Sequence, residues 1–135
     1  MAKIEFKDNT IQVKEAMKNN IVAVLEECSG ELESQTKRNS RVKTSKTKNS
    51  FRHVVDDNDL KATIGSSEEN AIWEELGTGE YALNGNGRKG GWKYVDEEGH
   101  GHFTRGKKPS RAMWNAYTAL KSKIIKRIQD SLKGL

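Results

Sequence analysis

The chain has 135 residues, a net charge of +5 from 24 basic and 19 acidic side chains, and a single cysteine. This length suggests one domain spanning residues 1–135, and one cysteine excludes an intramolecular disulfide framework. The sequence shows neither a signal peptide nor an apolar run that could span a bilayer, so we expect no membrane contact and synthesis in the cytoplasm. The modest positive charge permits contact with nucleic acid or an acidic protein but requires neither.

The N-terminal part of the chain predicts an extended arm followed by a long helix. Ile4 and Phe6 share one face of an alternating stretch over residues 3–7, which indicates a short strand or arm. Apolar residues then recur at spacings of three and four, and this pattern predicts an amphipathic helix from about Ile11 to about Gln35. Cys28 lies on the apolar face of that helix, which favours a buried, unreactive thiol over a nucleophile.

Residues 36–52 contain seven basic residues and no acidic one. Since the segment has few large apolar residues, it cannot bury itself, and we expect an exposed, mobile loop or ribbon. Basic side chains without acidic neighbours suit phosphates, but the scarcity of aromatic residues argues against sequence-specific binding of single strands. We therefore expect contact with either DNA or a partner protein through Lys37, Arg38, Arg41, Lys43, Lys46, Lys48 and Arg52.

The middle of the chain predicts two strands and a short helix. Val54 and Val55 indicate the start of the first strand, and an alternating stretch from Leu60 to Gly65 indicates the second, with an acidic turn between them. A hydroxyl cap and early carboxylates predict a helix over about 68–76. Gly77 is the natural stop of that helix.

The remaining sequence predicts a glycine-rich hairpin and a closing helix. Nine of the twelve glycines lie between Gly77 and Gly106, and aromatic runs flank an acidic turn, so residues 83–102 are expected to form the hairpin. Gly106 and Pro109 then lead into an amphipathic helix. Its apolar positions recur at helical spacing and include Met113, Tyr117, Leu120, Ile124, Ile128 and Leu132.

Two patterns that sometimes carry chemistry are better explained as parts of a hairpin. Residues 85–90 match G-x-G-x-x-G, but an aromatic strand follows them where a dinucleotide site needs a helix. His100 and His102 lie on one face of a strand, yet the chain holds too few other ligands for a structural zinc site. We expect no catalytic group, no cofactor and no metal, and a metal-dependent hydrolase using the two histidines is the least favoured alternative.

Several short motifs occur in an order and spacing that resemble a known family. They are Leu60–Ile64, Glu75–Gly79 with Tyr81 and Ala82, the strand from Trp92 to Tyr94, Phe103–Pro109, and the closing helix. This order is similar to that of the head–tail joining, or tail-completion (neck), proteins of long-tailed, lambda-like phages, the minor tail protein Z-like family.

The resemblance implies an α+β fold with a long N-terminal helix, a small curved antiparallel sheet with a glycine-rich hairpin, and a C-terminal amphipathic helix. It also implies a non-enzymatic virion protein that forms a homo-oligomeric ring, commonly six-fold, at the head–tail junction, and that can be a monomer when isolated. Such a ring joins the tail terminator to the head connector, with non-specific contact to the channel DNA, after assembly in the host cytoplasm.

The assembly surfaces expected under this interpretation are the basic segment, the glycine-rich hairpin and the corner before the last helix. A nucleic-acid-binding module that uses residues 36–52 is the main alternative. The residues expected to contact a neighbouring subunit are Gly77, Thr78, Gly79, Trp92, Thr104, Arg105, Gly106, Lys107, Lys108 and Pro109.

Overall fold

A computed structural model describes residue 8, residues 10–41 and residues 45–133. The expected arm with Ile4 and Phe6 lies outside these residues. The elements in chain order are α1 (Thr10–Asn39), α2 (Ser45–Ser50), β1 (Phe51–Asp56), β2 (Lys61–Ser66), α3 (Glu69–Leu76), a 3-10 turn (Gly79–Tyr81), β3 (Trp92–Val95), β4 (Gly101–Thr104) and α4 (Ala112–Lys133). The α+β class is confirmed, although the described strands form two separate two-stranded antiparallel sheets.

The two long helices, α1 and α4, pack side by side in opposite directions. Near the start of α1, the side-chain amide of Asn20 donates to the hydroxyl oxygen of Ser131 at 2.9 Å. At the other end, Asn39 donates to the carbonyl oxygen of Ala112 at 3.2 Å. Cys28 is buried between these ends, as expected, and burial raises the pKa of its thiol.

The β1–β2 hairpin packs against α1. Its strands pair in antiparallel register from Phe51 opposite Ser66 to Asp56 opposite Lys61. Phe51 is only 3% exposed, so its ring anchors the start of β1. The second strand begins one residue later than expected, because Leu60 adopts a φ of +51° in the turn.

The expectation of a loop over residues 36–52 is wrong for the described part of that segment. Helix α1 continues through Asn39, residues 45–50 form α2, and β1 begins at Phe51. The prediction failed because part of the segment is buried, at Thr47 and Phe51, and part of its charge is compensated from outside it. Carboxylates elsewhere in the chain accept three of these cations in the ion pairs Lys37–Glu33, Arg41–Glu74 and Lys46–Glu68.

The second half of the chain forms a helix, a tight corner and a projecting hairpin. Helix α3 ends at Gly77, as predicted, with φ of +78° and a backbone hydrogen bond to the carbonyl of Trp73 at 2.8 Å. Strands β3 and β4 form the expected hairpin, with Trp92 opposite Thr104 and Val95 opposite Gly101, but it spans residues 92–104 rather than 83–102. Within the described part of the chain, no helix has the length and apolar character needed to cross a membrane.

Candidate interaction surface

Two of the motifs singled out in the sequence meet at one corner of the structure. The backbone N–H of Thr78 donates to the carbonyl of Lys107, and that of Glu80 donates to the carbonyl of Arg105, both at 2.9 Å. The backbone N–H of Lys107 donates in return to the hydroxyl of Thr78 at 2.9 Å. Residues 77–80 and 104–109 therefore form one hydrogen-bonded unit, which we call the glycine corner.

The glycine corner requires glycine because its two backbones approach too closely for a side chain. A Cβ atom on Gly77 would lie 2.9 Å from both the carbonyl oxygen of Lys107 and Cδ of Pro109. Gly79 has a φ of +60°, and a Cβ atom there would overlap the carbonyl oxygen of Arg105. The glycines of this motif are therefore needed for the fold of the chain itself, because they allow the two backbones to come into contact.

The predicted subunit-contact residues divide by exposure into three groups. Gly77 and Gly79 are buried within the glycine corner, and Trp92 is half-buried at the start of β3. Their role in a subunit contact stays a prediction. The other half-buried residues are Thr78, Thr104, Gly106 and Pro109, and the exposed ones that can face a partner are Arg105, Lys107 and Lys108.

The glycine corner is locked to the start of α4 by Glu75. Its carboxylate accepts the backbone N–H groups of Met113 at 3.0 Å and Trp114 at 2.9 Å. A carboxylate at this position satisfies donors that have no partner within the helix and complements the helix dipole. In addition, the N–H of Ser110 donates to the carbonyl of Glu74 at 2.7 Å. The direction in which the chain enters α4 is therefore firmly set.

The described basic residues of this segment lie at the end of α1, just after it at Arg41, on α2 and at the start of β1. Besides its ion pair, Arg41 donates to the carbonyl oxygen of Lys108 at 2.7 Å. This contact ties the basic segment to the glycine corner. Lys43 lies outside the described residues. The described basic residues without an ion pair to a described carboxylate are Arg38, Lys48 and Arg52.

The β3–β4 hairpin projects from the rest of the molecule, and several of its apolar side chains are exposed to solvent. Val95 is 69% exposed and Phe103 60% exposed, and Tyr94 is also exposed. No other described helix or strand packs extensively against this hairpin. A two-stranded ribbon with uncovered apolar side chains is marginally stable alone, so its faces are suited to contact with another protein.

The two hairpin histidines form hydrogen bonds with Asp96 in the turn between β3 and β4. Nε2 of His102 lies 2.7 Å from the Asp96 carboxylate, whose other oxygen accepts the N–H of His100 at 2.8 Å. These two hydrogen bonds lower the pKa of Asp96, and the one from the His102 ring has a larger effect than the one from the His100 backbone. Among the described residues, no group of three or more histidine, cysteine or acidic side chains is arranged to hold a metal ion.

An open apolar groove of about 510 Å³ lies between α1, β2, α3 and the first turns of α4. Met113 and Tyr117 belong to the predicted apolar face of α4, but Tyr117 is 43% exposed and the neighbouring Trp114 50% exposed. The pattern that predicts an amphipathic helix does not tell which part of its apolar face is covered, so this groove could not be predicted from it. Its lining residues are Leu32, Thr36, Ala62, Ile64, Glu75, Leu76, Arg111, Met113, Trp114 and Tyr117.

Both the groove and the hairpin carry charged groups beside their apolar surfaces. The guanidinium of Arg111 lies 5.1 Å from the ring centre of Trp114, and the Lys121 ammonium lies 5.6 Å from that of Tyr117. The hairpin turn instead exposes Glu97, and Glu98 follows it. These surfaces offer apolar area and charge, which suits binding of another macromolecule.

No family model matches the chain, and comparisons with curated proteins and with solved structures give no significant match.

Proposed function

We propose that this chain is a structural protein of a tailed-phage virion that completes the neck, joining head connector and tail as a homo-oligomeric ring around the DNA channel. The order of motifs across the second half of the sequence supports this role. The main observation in its support is that few apolar side chains are buried and many are exposed, as expected for a protein whose apolar surface is covered by partners.

The described residues bury little apolar material and expose much. The buried apolar residues are Cys28, Phe51 and three alanines. By contrast, sixteen large apolar residues are exposed, and several cluster on the β3–β4 hairpin and in the groove. Clustered apolar surface of this kind marks binding sites for other proteins. A small domain with so little buried apolar area gains stability when such surfaces are covered.

The proposed role depends on shape and assembly, so we propose no enzymatic activity. The head connector and the tail terminator are the proposed partners, and the virion neck is the proposed location. Exposed Arg105, Lys107 and Lys108 lie beside the glycine corner. They supply charge for contact with neighbouring proteins or with the phosphates of channel DNA.

Electron microscopy of particles from the parent phage with this gene deleted tests the proposal. We expect DNA-filled heads and separate, completed tails, because head and tail assemble independently of the joining step. Complementation with the wild-type gene supplied in trans is the control and restores joined particles. Normal infectious virions from the deletion strain would contradict the proposal.

The alternative function is nucleic-acid binding through the basic segment. This alternative is favoured because Arg38, Lys48 and Arg52 form none of the described ion pairs and so could bind phosphates. It is weakened because Lys37, Arg41 and Lys46 are already paired with carboxylates of the same chain. The two functions predict different behaviour of the isolated chain. Tight DNA binding that falls steeply with salt and is lost on changing Lys43, Lys46 and Lys48 to Glu supports the alternative, whereas weak or absent binding supports the neck role.

A further inference from the structure

We infer that the β3–β4 hairpin of one copy of this chain docks into the apolar groove of a second copy. This inference rests on the proposed homo-oligomeric ring and names the surfaces that build it. The hairpin consists of residues 92–104, and the groove is the one formed by α1, β2, α3 and the first turns of α4.

The apolar surfaces of hairpin and groove suit one another. The hairpin presents Val95 and Phe103, both more than half exposed, on a narrow projecting ribbon. The groove is open and has a volume of about 510 Å³, within the range of pockets that enclose several side-chain-sized groups. Ile64, Leu76 and Met113 line it, so docking would cover apolar surface on both sides.

The charges of the hairpin turn and of the groove rim are opposite, although exposed Lys93 lies on the hairpin and Glu75, which accepts two N–H groups of α4, lines the groove. The hairpin turn carries Glu97 and Glu98, and the groove is flanked by Arg111 and Lys121 next to its aromatic rings. Opposite charges arranged in this way fix the orientation of two proteins and speed their association. They favour a second copy as the occupant, because the acidic turn and the basic rim belong to the same sequence.

Arg111 adopts a backbone conformation that is unusual for its residue type. Its φ is +56°, a left-handed conformation that costs free energy for any residue with a side chain. In this conformation its guanidinium lies over the ring of Trp114. Strained residues of this kind concentrate at binding sites, which supports a role for the rim of the groove in recognition.

The hairpin does not fill the groove of its own chain. It makes no extensive contact with α1 or α4, whose residues form the groove walls, and the glycine corner fixes its point of departure. Hairpin and groove are different surfaces, so each copy can give one hairpin and receive another. Such head-to-tail contacts close into a ring when the geometry permits.

Substitution of Val95 by Asp provides a direct test in the full chain. Val95 and Val54 are both strand valines about two-thirds exposed, at 69% and 67%, so Val54→Asp on β1 is a matched control. Analytical ultracentrifugation across a concentration series measures self-association. We expect Val95→Asp to weaken it by on the order of tenfold or more, as at interface hot spots. Val54→Asp should leave it unchanged, and equal effects of the two substitutions would overturn the inference.

Charge reversal on both surfaces separates binding from folding. Glu97→Lys with Glu98→Lys should weaken self-association, and so should Arg111→Glu with Lys121→Glu. The chain with all four changes should regain most of the association, because the opposite charges face one another again. A quadruple variant that associates more weakly than either pair would contradict the proposed contact.

Cross-linking of mixed variants identifies the occupant even when association is weak. Cys28 is buried, so cysteines introduced singly as Val95→Cys and Tyr117→Cys are the reactive sites for a bis-maleimide. Mixing the two variants should give one-to-one dimers that neither gives alone. Hairpin–hairpin dimers of Val95→Cys, or no mixed dimer from a chain that also shows no self-association, would overturn the inference.

Failure of the hairpin–groove contact can be distinguished from failure of the proposed neck function. Normal virions from the deletion strain would remove the neck role but leave a measured hairpin–groove contact standing. Conversely, loss of the mixed cross-link alongside the defective particles described above would leave the neck role and remove this contact.

Discussion

The two hairpins of this protein share a design but differ in what covers them. Both are two-stranded and antiparallel, and each turn is organised by an aspartate. The Asp56 carboxylate accepts the N–H of Asn58 at 2.9 Å, and the Asp96 carboxylate accepts that of Glu98 at 3.0 Å. The β1–β2 hairpin, however, packs on α1, whereas β3–β4 packs extensively on no other described element.

Side chains on α1 account for the difference. The backbone N–H of His53 donates to the Glu33 carboxylate at 3.1 Å, and Nε2 of His53 lies 2.6 Å from the Glu26 carboxylate. These contacts hold β1 on the helix, with Phe51 buried beside them. A strand pair with nearly identical turn chemistry can therefore be part of the fold or a surface for a partner. What decides between them is the neighbouring element.

The largest expected contrast is between the two hairpin phenylalanines. Phe51→Ala should lower the free energy of unfolding by about 4 kcal/mol, because it removes a buried ring and leaves a cavity. Phe103→Ala should cost under about 1 kcal/mol, since that ring is mostly exposed. Urea unfolding followed by circular dichroism measures both. Similar costs would show that β3–β4 is held by the body of the protein after all.

A second contrast tests the glycine corner from which the β3–β4 hairpin departs. Gly79→Ala should cost about 3 kcal/mol, because the new methyl group would overlap the carbonyl of Arg105 in addition to the cost of the left-handed backbone. Gly85 has a similar φ of +69° but open space around its Cβ position. Gly85→Ala is thus the control for backbone strain alone and should cost about 1 kcal/mol. Thermal unfolding compares the pair, and equal costs would exclude close packing as the reason for Gly79.

A smaller effect is expected at the start of α4. Glu75→Gln should lower stability by about 1 kcal/mol, because the carboxylate that accepts the N–H groups of Met113 and Trp114 loses its charge. Glu97→Gln on the exposed hairpin turn is the control and should change stability by less than about 0.5 kcal/mol. Urea midpoints measure the difference. Destabilisation at Glu97 equal to that at Glu75 would contradict the proposed helix cap.

The smallest effect is a pH dependence specific to the covered hairpin. The hydrogen bond to Glu26 raises the pKa of His53 above its usual 6.5, opposed by partial burial and aided by Glu33. A raised pKa in the folded state means that the protonated imidazolium stabilises the fold. This stabilisation is complete below pH 6.5 and is lost as the pH rises through the folded pKa.

The measurement is the urea midpoint as a function of pH for the wild type and for His53→Gln. We expect the wild type to lose stability across the window just above pH 6.5 and the variant to lose less. Glu26→Gln should reduce the same slope, since it removes the principal partner of the imidazolium. A slope unchanged by either substitution would show that His53 does not titrate with folding.

Local patterns predicted the helices and the hairpin well because each rests on neighbours in sequence. The periodicity over Ile11–Gln35 found most of α1, and Gly77 marked the end of α3. The loop predicted for residues 36–52 was wrong because pairing with Glu68 and Glu74 links the segment to distant parts of the chain, whereas Lys37 pairs with Glu33 one helical turn away in α1. The pairs with Glu68 and Glu74 are not visible in a local charge pattern.

The candidate surfaces were only partly visible in the sequence. The glycine-rich motif and the segment 104–109 stood out separately, but their mutual hydrogen bonds emerged only from the structure. The groove was missed because an amphipathic face is expected to be buried, whereas Trp114 and Tyr117 are left half exposed. Which apolar positions are covered depends on how the elements pack together, and sequence spacing alone does not specify that.

The tight packing of the glycine corner has a geometric consequence for any assembly that uses the hairpin. With Gly77, Gly79 and Gly106 holding two backbones in contact, the hairpin leaves the body at a nearly constant angle to the groove. In a ring built by hairpin-to-groove contacts, that angle helps to set the rotation from one copy to the next. A change at the corner that the fold tolerates would then alter the number of copies per turn, or convert a closed ring into an open spiral.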